Sequence, residues 1–156
     1  MTPQYSVYIA GSMTGRKIKD VLFERAETKA LLSAYGLTWY DPADNEGLEA
    51  KNGEDVISNA FDLPRMKSFV SKDLAAVSHS QAVLNINGDM ASEGATWEMA
   101  FAVYHRFIPV HIVAPKRLSG AKMTFTNVLV DGIHATLNDA IFALNENLKE
   151  EKNASL

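Results

Sequence analysis

Segments rich in β-branched and aromatic residues alternate with segments of helical periodicity along almost the whole chain. The strands are predicted at residues 5–10, 37–40, 82–86, 108–113 and 133–135. The principal helices are predicted at residues 20–35, 64–79, 94–104 and 137–149. Alternation of this kind is typical of a parallel sheet that is covered by helices on both faces. We therefore expect an α/β three-layer fold with a mostly parallel sheet of about five strands.

The first helix is predicted from apolar residues at helical spacing and from Gly36, which is placed to end it. These apolar positions are Leu22, Phe23, Ala26, Ala30, Leu31 and Ala34. Residues 41–59 are polar and rich in turn-forming residues, and so long a connection is either a lid or a disordered insert. A shorter element is expected around residues 124–130, and residues 149–156 are expected to be a solvated tail behind a single domain at 1–148.

Composition narrows the class of protein. A chain of 156 residues with 47% hydrophobic and 22% charged residues fits one soluble globular domain, and no apolar run approaches the ~20 residues of a membrane span. The net charge of −4 argues against a broad surface for a nucleic-acid polymer. Without cysteine, disulfides and thiolate chemistry are excluded. Residues 1–4 do not resemble a signal peptide, so we expect a cytoplasmic protein.

Glu98 is the only charged residue between Gly94 and Tyr104, in a helix that is apolar on nearly every face and is therefore expected to be buried. Burying a polar group without partners costs roughly 2–7 kcal/mol, so this carboxylate needs either a function or a shelter. Ser92 and Gly94 resemble a turn into the helix, whose positive end would shelter the charge. Glu98 is therefore either a catalytic carboxylate at the mouth of a site or an acid that reaches solvent.

Three further groups are candidates for chemistry, because ligands of open α/β sheets bind beyond the carboxyl ends of the strands. Residues 11–17 combine two glycines with hydroxyl and arginine donors that suit an anion, although a plain strand-to-helix turn explains them as well. Residues 85–89 with 92–94 form either a second binding loop or a polar loop with a helix cap. Asp73 lies on the helix before the third strand, where such an acid is usually at the surface.

The four histidines do not show the spacing of metal ligands, so no metal and no cofactor is expected. The aromatic residues Trp39, Tyr40 and Trp97 are more typical of a core or a rim than of a surface on which a base stacks.

Three motifs, in this order, resemble the nucleoside 2-deoxyribosyltransferase superfamily. They are YIAGSMTG at residues 8–15, KDL at 72–74 and SEGATWEMA at 92–100. The resemblance extends from residue 5 to about residue 132, and it is the order of the motifs that makes it specific. It implies a flavodoxin/Rossmann-like fold, cleavage of an N-glycosidic bond, and assembly into a homodimer or a higher homo-oligomer.

The resemblance also implies roles for individual residues. The family's catalytic glutamate follows a glycine by four residues, as Glu98 follows Gly94, which gives Glu98 the role of nucleophile. Asp73 matches an aspartate that orients or protonates the substrate, and Asn127 matches a residue that is lent to the neighbouring subunit's site. The remaining substrate and phosphate contacts implied are Tyr8, Gly11, Ser12, Met13, Gly15, Arg16, Ser92 and Gly94.

Ser92 distinguishes branches of this family. Transferases that act on unphosphorylated nucleosides tend to have aspartate six residues before the glutamate, whereas the branch that hydrolyses nucleoside 5′-monophosphates resembles this chain in having serine. A serine donates to a phosphate that an aspartate would repel. Thr14 stands where an arginine is often found, and Arg16 is expected to substitute for it.

The expected function is therefore hydrolysis of a (2′-deoxy)nucleoside 5′-monophosphate to a free base and a sugar 5-phosphate. Base exchange between nucleosides is the nearest alternative, because the same glycosyl-enzyme intermediate serves both reactions. A nucleotide-binding module without turnover is a further alternative, and hydrolysis of a nicotinamide dinucleotide ranks below it. The expected partner is a small nucleotide, with neither nucleic acid nor membrane.

Overall fold

The computed structural model of the protein describes residues 3–45, 55–57, 63–119 and 129–156. The strands in these ranges are β1 (Tyr5–Ala10), β2 (Trp39–Tyr40), β3 (Ser80–Asn85), β4 (Val110–Val113) and β5 (Gly132–His134). The helices are α1 (Ile18–Ala34), α2 (Leu63–Ser78), α3 (Glu93–Phe101), α4 (Pro115–Ser119) and α5 (Leu137–Ala154). A 3₁₀ turn at Pro42–Asp44 follows β2, and a π-helical turn at Ala102–Arg106 continues α3.

The strands form one sheet in which every neighbouring pair is parallel, in the order β2–β1–β3–β4–β5. This is the flavodoxin-like strand order, and its topological switch point lies between β1 and β3. The α/β three-layer fold expected from the alternation of segments is therefore confirmed. The loops that follow β1 and β3 begin side by side and lead to helices on opposite faces, and ligands of open α/β sheets bind at such a switch point.

The two helical layers divide the core by the alternation of side chains along each strand. Val7 and Ile9 of β1 face α1 and α5, whereas Tyr8 and Ala10 face α2 and α3. All four are fully or almost fully buried. Each fully buried aliphatic or aromatic side chain stabilises the fold by roughly 1.5–3 kcal/mol, so β1 is held firmly from both faces. The loop that follows β1 thus starts from a rigid position.

The buried stripe of α1 is not the one that the apolar residues predict. The predicted helix is present, but Leu22 and Phe23, two of the apolar residues that indicate it, are 50% and 73% exposed. The buried residues are Val21, Arg25, Thr28 and Leu32. Two of these are polar, and they are accommodated because Arg25 donates to the carbonyl of Ile9 at 3.0 Å and the Thr28 hydroxyl donates to a carbonyl one turn earlier.

The expectation that α3 is buried is wrong for most of its residues. Only Ala95 and Met99 of this helix are buried, whereas Trp97 is 69% exposed. The helix is the outer layer of the fold, so only one of its faces meets the sheet and α2. Glu98 is half-buried, between these two extremes.

The connection after β2 is partly ordered. Pro42 and Ala43 are buried in the 3₁₀ turn, so this part is neither lid nor disordered insert. Residues 46–54 and 58–59 of the connection lie outside the described residues, as does 124–128 of the expected shorter element. The last helix continues to Ala154, beyond the expected end near Lys149, although residues 149–156 are exposed as predicted. No helix in the described ranges is long and apolar enough to cross a membrane.

Candidate active site

The loops after β1 and β3 are joined by one side chain at the switch point. The carboxamide oxygen of Asn87 accepts the backbone N–H of Ser12 at 2.7 Å, and its Nδ2 donates to the Ser12 carbonyl at 3.4 Å. Asn87 is itself fixed, because its own N–H donates to the side chain of Asn85 at 3.2 Å. Two of the candidate segments predicted from the sequence are therefore brought together here.

Gly11 is required by the close approach of these two loops. Its φ of 150° lies outside the range that other residues readily adopt, and a Cβ placed there would lie 2.7 Å from the Asn87 carboxamide oxygen. Gly15 also has a positive φ, of 79°, but no atom lies within 4 Å of the position of a Cβ. The two glycines of the motif thus have different roles, one in packing and one in turning the chain.

Arg16 is held inside the first loop, the segment at residues 11–17 that follows β1. Its guanidinium donates to the Ser12 carbonyl at 2.9 Å and forms an ion pair with Glu24 through both of its terminal nitrogens. The Asn87 carboxamide donates to the same Glu24 carboxylate at 2.8 Å. The cation expected to contact a phosphate is therefore paired with a carboxylate in the protein itself. Glu24 is not predicted from the sequence, where it is one of three acids on the first helix.

The polar connection after β2 returns to this loop. Ile57 is buried, and its carbonyl accepts the N–H of Gly15 at 2.9 Å while its N–H donates to the Arg16 carbonyl at 2.9 Å. Val56 pairs with Lys17 as an antiparallel bridge. Residues 56 and 57 of this connection therefore lie against the loop that follows β1.

Glu98 lies on α3 with its side chain turned toward the start of that helix. Its Oε1 is 3.9 Å from the position that a Cβ of Gly94 would occupy. Ser92 caps the same helix, because its hydroxyl oxygen accepts the N–H of Ala95 at 3.2 Å. The carboxylate is therefore turned toward the positive end of the helix dipole. The turn predicted at Ser92 and Gly94 is confirmed.

The structure also gives the positions of three other predicted site residues, Asp73, Tyr8 and Met13. Asp73 is half-buried on α2, which packs beside α3 on the same face of the sheet. Tyr8 is fully buried under that layer, with its ring stacked on Tyr40 at a centroid distance of 5.8 Å. Met13 is half-buried in the first loop. Asn127 lies outside the described residues.

A buried cluster of charged side chains, Arg25, Asp41 and Lys29, contacts the start of the loop that follows β1. Arg25 donates to the carbonyls of Ile9 and Gly11, at 3.0 and 3.1 Å, and to the carboxylate of Asp41 at 2.9 Å. Lys29 contacts Asp41 at 2.9 Å on its other oxygen. Burial acts to lower the pKa of Lys29, but its hydrogen bonds to neighbouring aspartates outweigh this and raise the pKa above its ordinary value. No local pattern in the sequence indicates this cluster.

Two of the four histidines meet at the far side of the sheet. The Nε2–H of His111 donates to the amide oxygen of Asn147 at 2.6 Å, so its Nδ1 accepts from the Nε2–H of His134 at 3.0 Å. Burial lowers the pKa of His111, although Asn147 and the charge of Asp131 act to raise it. Burial and the neighbouring His111 lower the pKa of His134, against the charge of Asp139. The described residues contain no group of three or more side chains suited to a metal.

Comparison with solved structures agrees with the class of fold, a flavodoxin-like domain. A solved 2-deoxyribosyltransferase from the psychrotolerant bacterium Bacillus psychrosaccharolyticus, described as a biocatalyst for the synthesis of antiviral and antitumoral nucleosides, matches with a TM-score of 0.62 and 17% identity, over 86% of this chain and 88% of that chain. A conserved protein from Enterococcus faecalis V583 matches with a TM-score of 0.61 and 13% identity, over 94% and 99% of the two chains.

No protein-family model and no curated protein sequence matches the chain. The likeness therefore concerns the fold, and the fold resembles that of a 2-deoxyribosyltransferase. Within this fold, the loop at residues 11–16 and the helix that carries Glu98 follow β1 and β3, the strands that adjoin at the switch point.

Proposed function

We propose that the protein is an N-glycosidase that hydrolyses the base–sugar bond of a (2′-deoxy)nucleoside 5′-monophosphate and releases a free base and a sugar 5-phosphate. The observation that supports this most is the orientation of Glu98, whose carboxylate is turned back toward the N-terminus of α3 with Gly94 beside it. A half-buried carboxylate on the helix that follows β3 is suited to stabilise positive charge on a sugar.

The chemistry requires one nucleophile and one acid. Cleavage of the bond develops oxocarbenium character at C1′, and the Glu98 carboxylate attacks C1′ to form a glycosyl ester as the base departs. Asp73 assists by donating a proton to the departing base. Water then attacks C1′ of the ester and gives its proton to Asp73, which was deprotonated in the first step, so that the sugar is released with net retention and both carboxyl groups return to their starting states.

The phosphate contacts proposed are the side chains of Ser12, Arg16 and Ser92, together with Gly15, whose N–H is bonded to Ile57 but whose lack of a side chain leaves room for an anion. The Ser92 hydroxyl uses its oxygen to cap α3, so its hydrogen is directed elsewhere and is able to donate to an anion. A phosphate at the start of this helix would also interact favourably with the helix dipole. Arg16 supplies the positive charge of the loop.

Base exchange is the second candidate, and one observation favours it. The fold likeness includes a protein that is itself a 2-deoxyribosyltransferase, and transfer differs from hydrolysis only in whether a second base or water attacks the glycosyl ester. The two reactions are separated by adding a second free base, because transfer then produces a new nucleoside faster than free sugar accumulates.

Incubation with a panel of nucleosides and their 5′-monophosphates, followed by chromatography of the products, tests the proposal. We expect base release from monophosphates by the wild-type protein, and a loss of about 10³-fold or more in Glu98→Gln. Glu93→Gln is the matched control, because Glu93 is an exposed acid at the start of the same helix and should retain activity. Full activity in Glu98→Gln, or recovery of every nucleotide unchanged after long incubation with the wild type, would refute the enzyme proposed.

Assembly into a homodimer or a higher oligomer, with Asn127 contributed to a neighbouring site, stays part of the proposal. It is supported by aromatic side chains on the outer side of the α3 region, where Trp97 and Tyr104 are 69% and 56% exposed. Light scattering of the wild type and of Trp97→Glu would test it. A monomeric wild-type protein with full activity would contradict a shared site.

A further inference from the structure

We propose that Glu24 is an internal counter-ion for Arg16 and that this pair determines how strongly the site prefers a phosphorylated sugar over an unphosphorylated one. The inference rests on the proposed function, because it concerns the phosphate subsite of that reaction. It assigns a role in specificity to a residue of α1 that the sequence motifs do not include.

The geometry of the pair is that of a carboxylate occupying the donors that a phosphate would use. Both terminal nitrogens of the Arg16 guanidinium face the two carboxylate oxygens of Glu24, and the Arg16 and Glu24 side chains are only 16% and 28% exposed. A guanidinium presents one planar fork to a carboxylate or to a phosphate, and the two anions therefore compete for it. A phosphate must displace Glu24 or share Arg16 with it.

Glu24 is held in this position from a second direction. The Asn87 carboxamide donates to Oε1 of Glu24 at 2.8 Å while its oxygen accepts the N–H of Ser12 at 2.7 Å. The counter-ion is thus tied to both loops of the switch point. A carboxylate fixed in this way loses little side-chain entropy when it pairs with Arg16, so it competes more effectively than a mobile surface acid would.

The backbone N–H groups of the loop are partly occupied, so they do not fully replace Arg16 as donors to a phosphate. Three of its N–H groups are already bonded within the protein: Ser12 to the Asn87 side chain at 2.7 Å, Gly15 to Ile57 at 2.9 Å and Arg16 to Met13 at 3.1 Å. Phosphate recognition here therefore depends strongly on the Arg16 charge, and the negative charge of Glu24 opposes it. An unphosphorylated nucleoside does not need this cation, so its binding leaves the pair intact.

Glu24→Gln tests the inference without requiring turnover. We would titrate ¹⁵N-labelled protein with inorganic phosphate and with 2-deoxyribose 5-phosphate, and follow the amide signals of Gly15 and Arg16. Removing the competing charge should tighten phosphate binding about tenfold, the effect of one charge-assisted hydrogen bond. Glu27→Gln removes the same charge from an exposed position of α1 and should change the affinity by less than about twofold.

The same variants then give the specificity. The ratio of the affinity for a nucleoside 5′-monophosphate to that for the nucleoside should rise about tenfold in Glu24→Gln, and the gain should vanish in Glu24→Gln/Arg16→Gln. Glu24→Gln that binds phosphate no more tightly than Glu27→Gln, or a gain that persists without Arg16, would overturn the inference. If Glu24→Gln does not fold, Glu24→Asp decides, because its shorter carboxylate is drawn away from Arg16 and should give a smaller gain of the same sign.

Failure of the proposed function is separable from failure of this inference. A protein that releases no base from any nucleotide but binds phosphate more tightly in Glu24→Gln would refute the reaction and support the counter-ion. A protein that hydrolyses monophosphates with the same preference and the same phosphate affinity in both glutamine variants would refute the counter-ion alone.

Discussion

Replacing Arg25 by methionine should destabilise the protein by about 3 kcal/mol, because it removes one partner of a buried ion pair. The Arg25 and Asp41 side chains are 2% and 0% exposed and are joined at 2.9 Å. Arg25 also donates to the carbonyls of Ile9 and Gly11. Without it, the Asp41 carboxylate stays buried with Lys29 as its remaining cationic partner, at 2.9 Å.

The size of this loss of stability follows from the buried Asp41 carboxylate, which loses its main partner. Truncating one member of a buried pair costs roughly 3–5 kcal/mol, and the lower end applies here because Lys29 still compensates part of the charge. A urea m-value of roughly 1–3 kcal/mol per molar would convert this into a fall of the unfolding midpoint by about 1–3 M. Lys149→Met is the matched control, because its pair with Glu146 is exposed and its loss should change stability by less than about 0.5 kcal/mol.

A double variant tests the reasoning more sharply than the single one. In Arg25→Met/Asp41→Asn no buried carboxylate is left without its main partner. The carboxamide introduced by Asp41→Asn also keeps an oxygen for the Ala43 N–H, which donates to the Asp41 carboxylate at 3.0 Å in the wild type. The double variant should therefore be more stable than Arg25→Met alone when both are followed by circular dichroism in urea. Additive losses from the two substitutions would refute the electrostatic explanation.

Two further predictions concern backbone strain and pH. Gly11→Ala should lower the free energy of unfolding by about 2–4 kcal/mol, because its Cβ would lie 2.7 Å from the Asn87 side chain. Gly15→Ala should lower it by only about 1–2 kcal/mol, because only its φ of 79° is unfavourable. Equal losses in urea unfolding would contradict the packing role of Gly11. The lowered pKa values of His111 and His134 mean that the unfolded chain binds more protons below pH 6.5, so stability should fall as the pH drops through 6.5 toward the lower native values. His134→Gln should weaken this dependence of stability on pH, as measured by thermal unfolding at a series of pH values. An unchanged dependence would contradict the role of the histidine pair.

The fold could be predicted because its signals are local. Each strand is a short run of β-formers and each helix has its own boundary signals, such as Gly36, whose φ of 70° ends α1. The alternation of these segments along the chain then limits the fold to a parallel sheet with helices on both faces. The hydroxyl cap at Ser92 is equally local, since it acts on the N–H of Ala95 three residues later.

The contacts around the site could not be predicted because they join distant parts of the chain. Asn87 meets Ser12 across 75 positions and Glu24 across 63 positions. The buried face of α1 could not be predicted for a related reason. Arg25 is buried because it donates to Ile9 and Asp41, which the sequence does not place beside it, whereas Thr28 needs only the Glu24 carbonyl one turn earlier. Polar residues with long-range partners are thus the principal source of error.

The most direct test of the central claim is a search for the glycosyl ester on Glu98. The protein would be quenched in acid during turnover of a 2′-deoxynucleoside 5′-monophosphate, digested with pepsin and measured by mass spectrometry. We expect the mass of the sugar phosphate on the peptide that contains Glu98, and its absence in Glu98→Gln. Turnover with that peptide unmodified, or the added mass on another residue, would contradict the nucleophile role of Glu98.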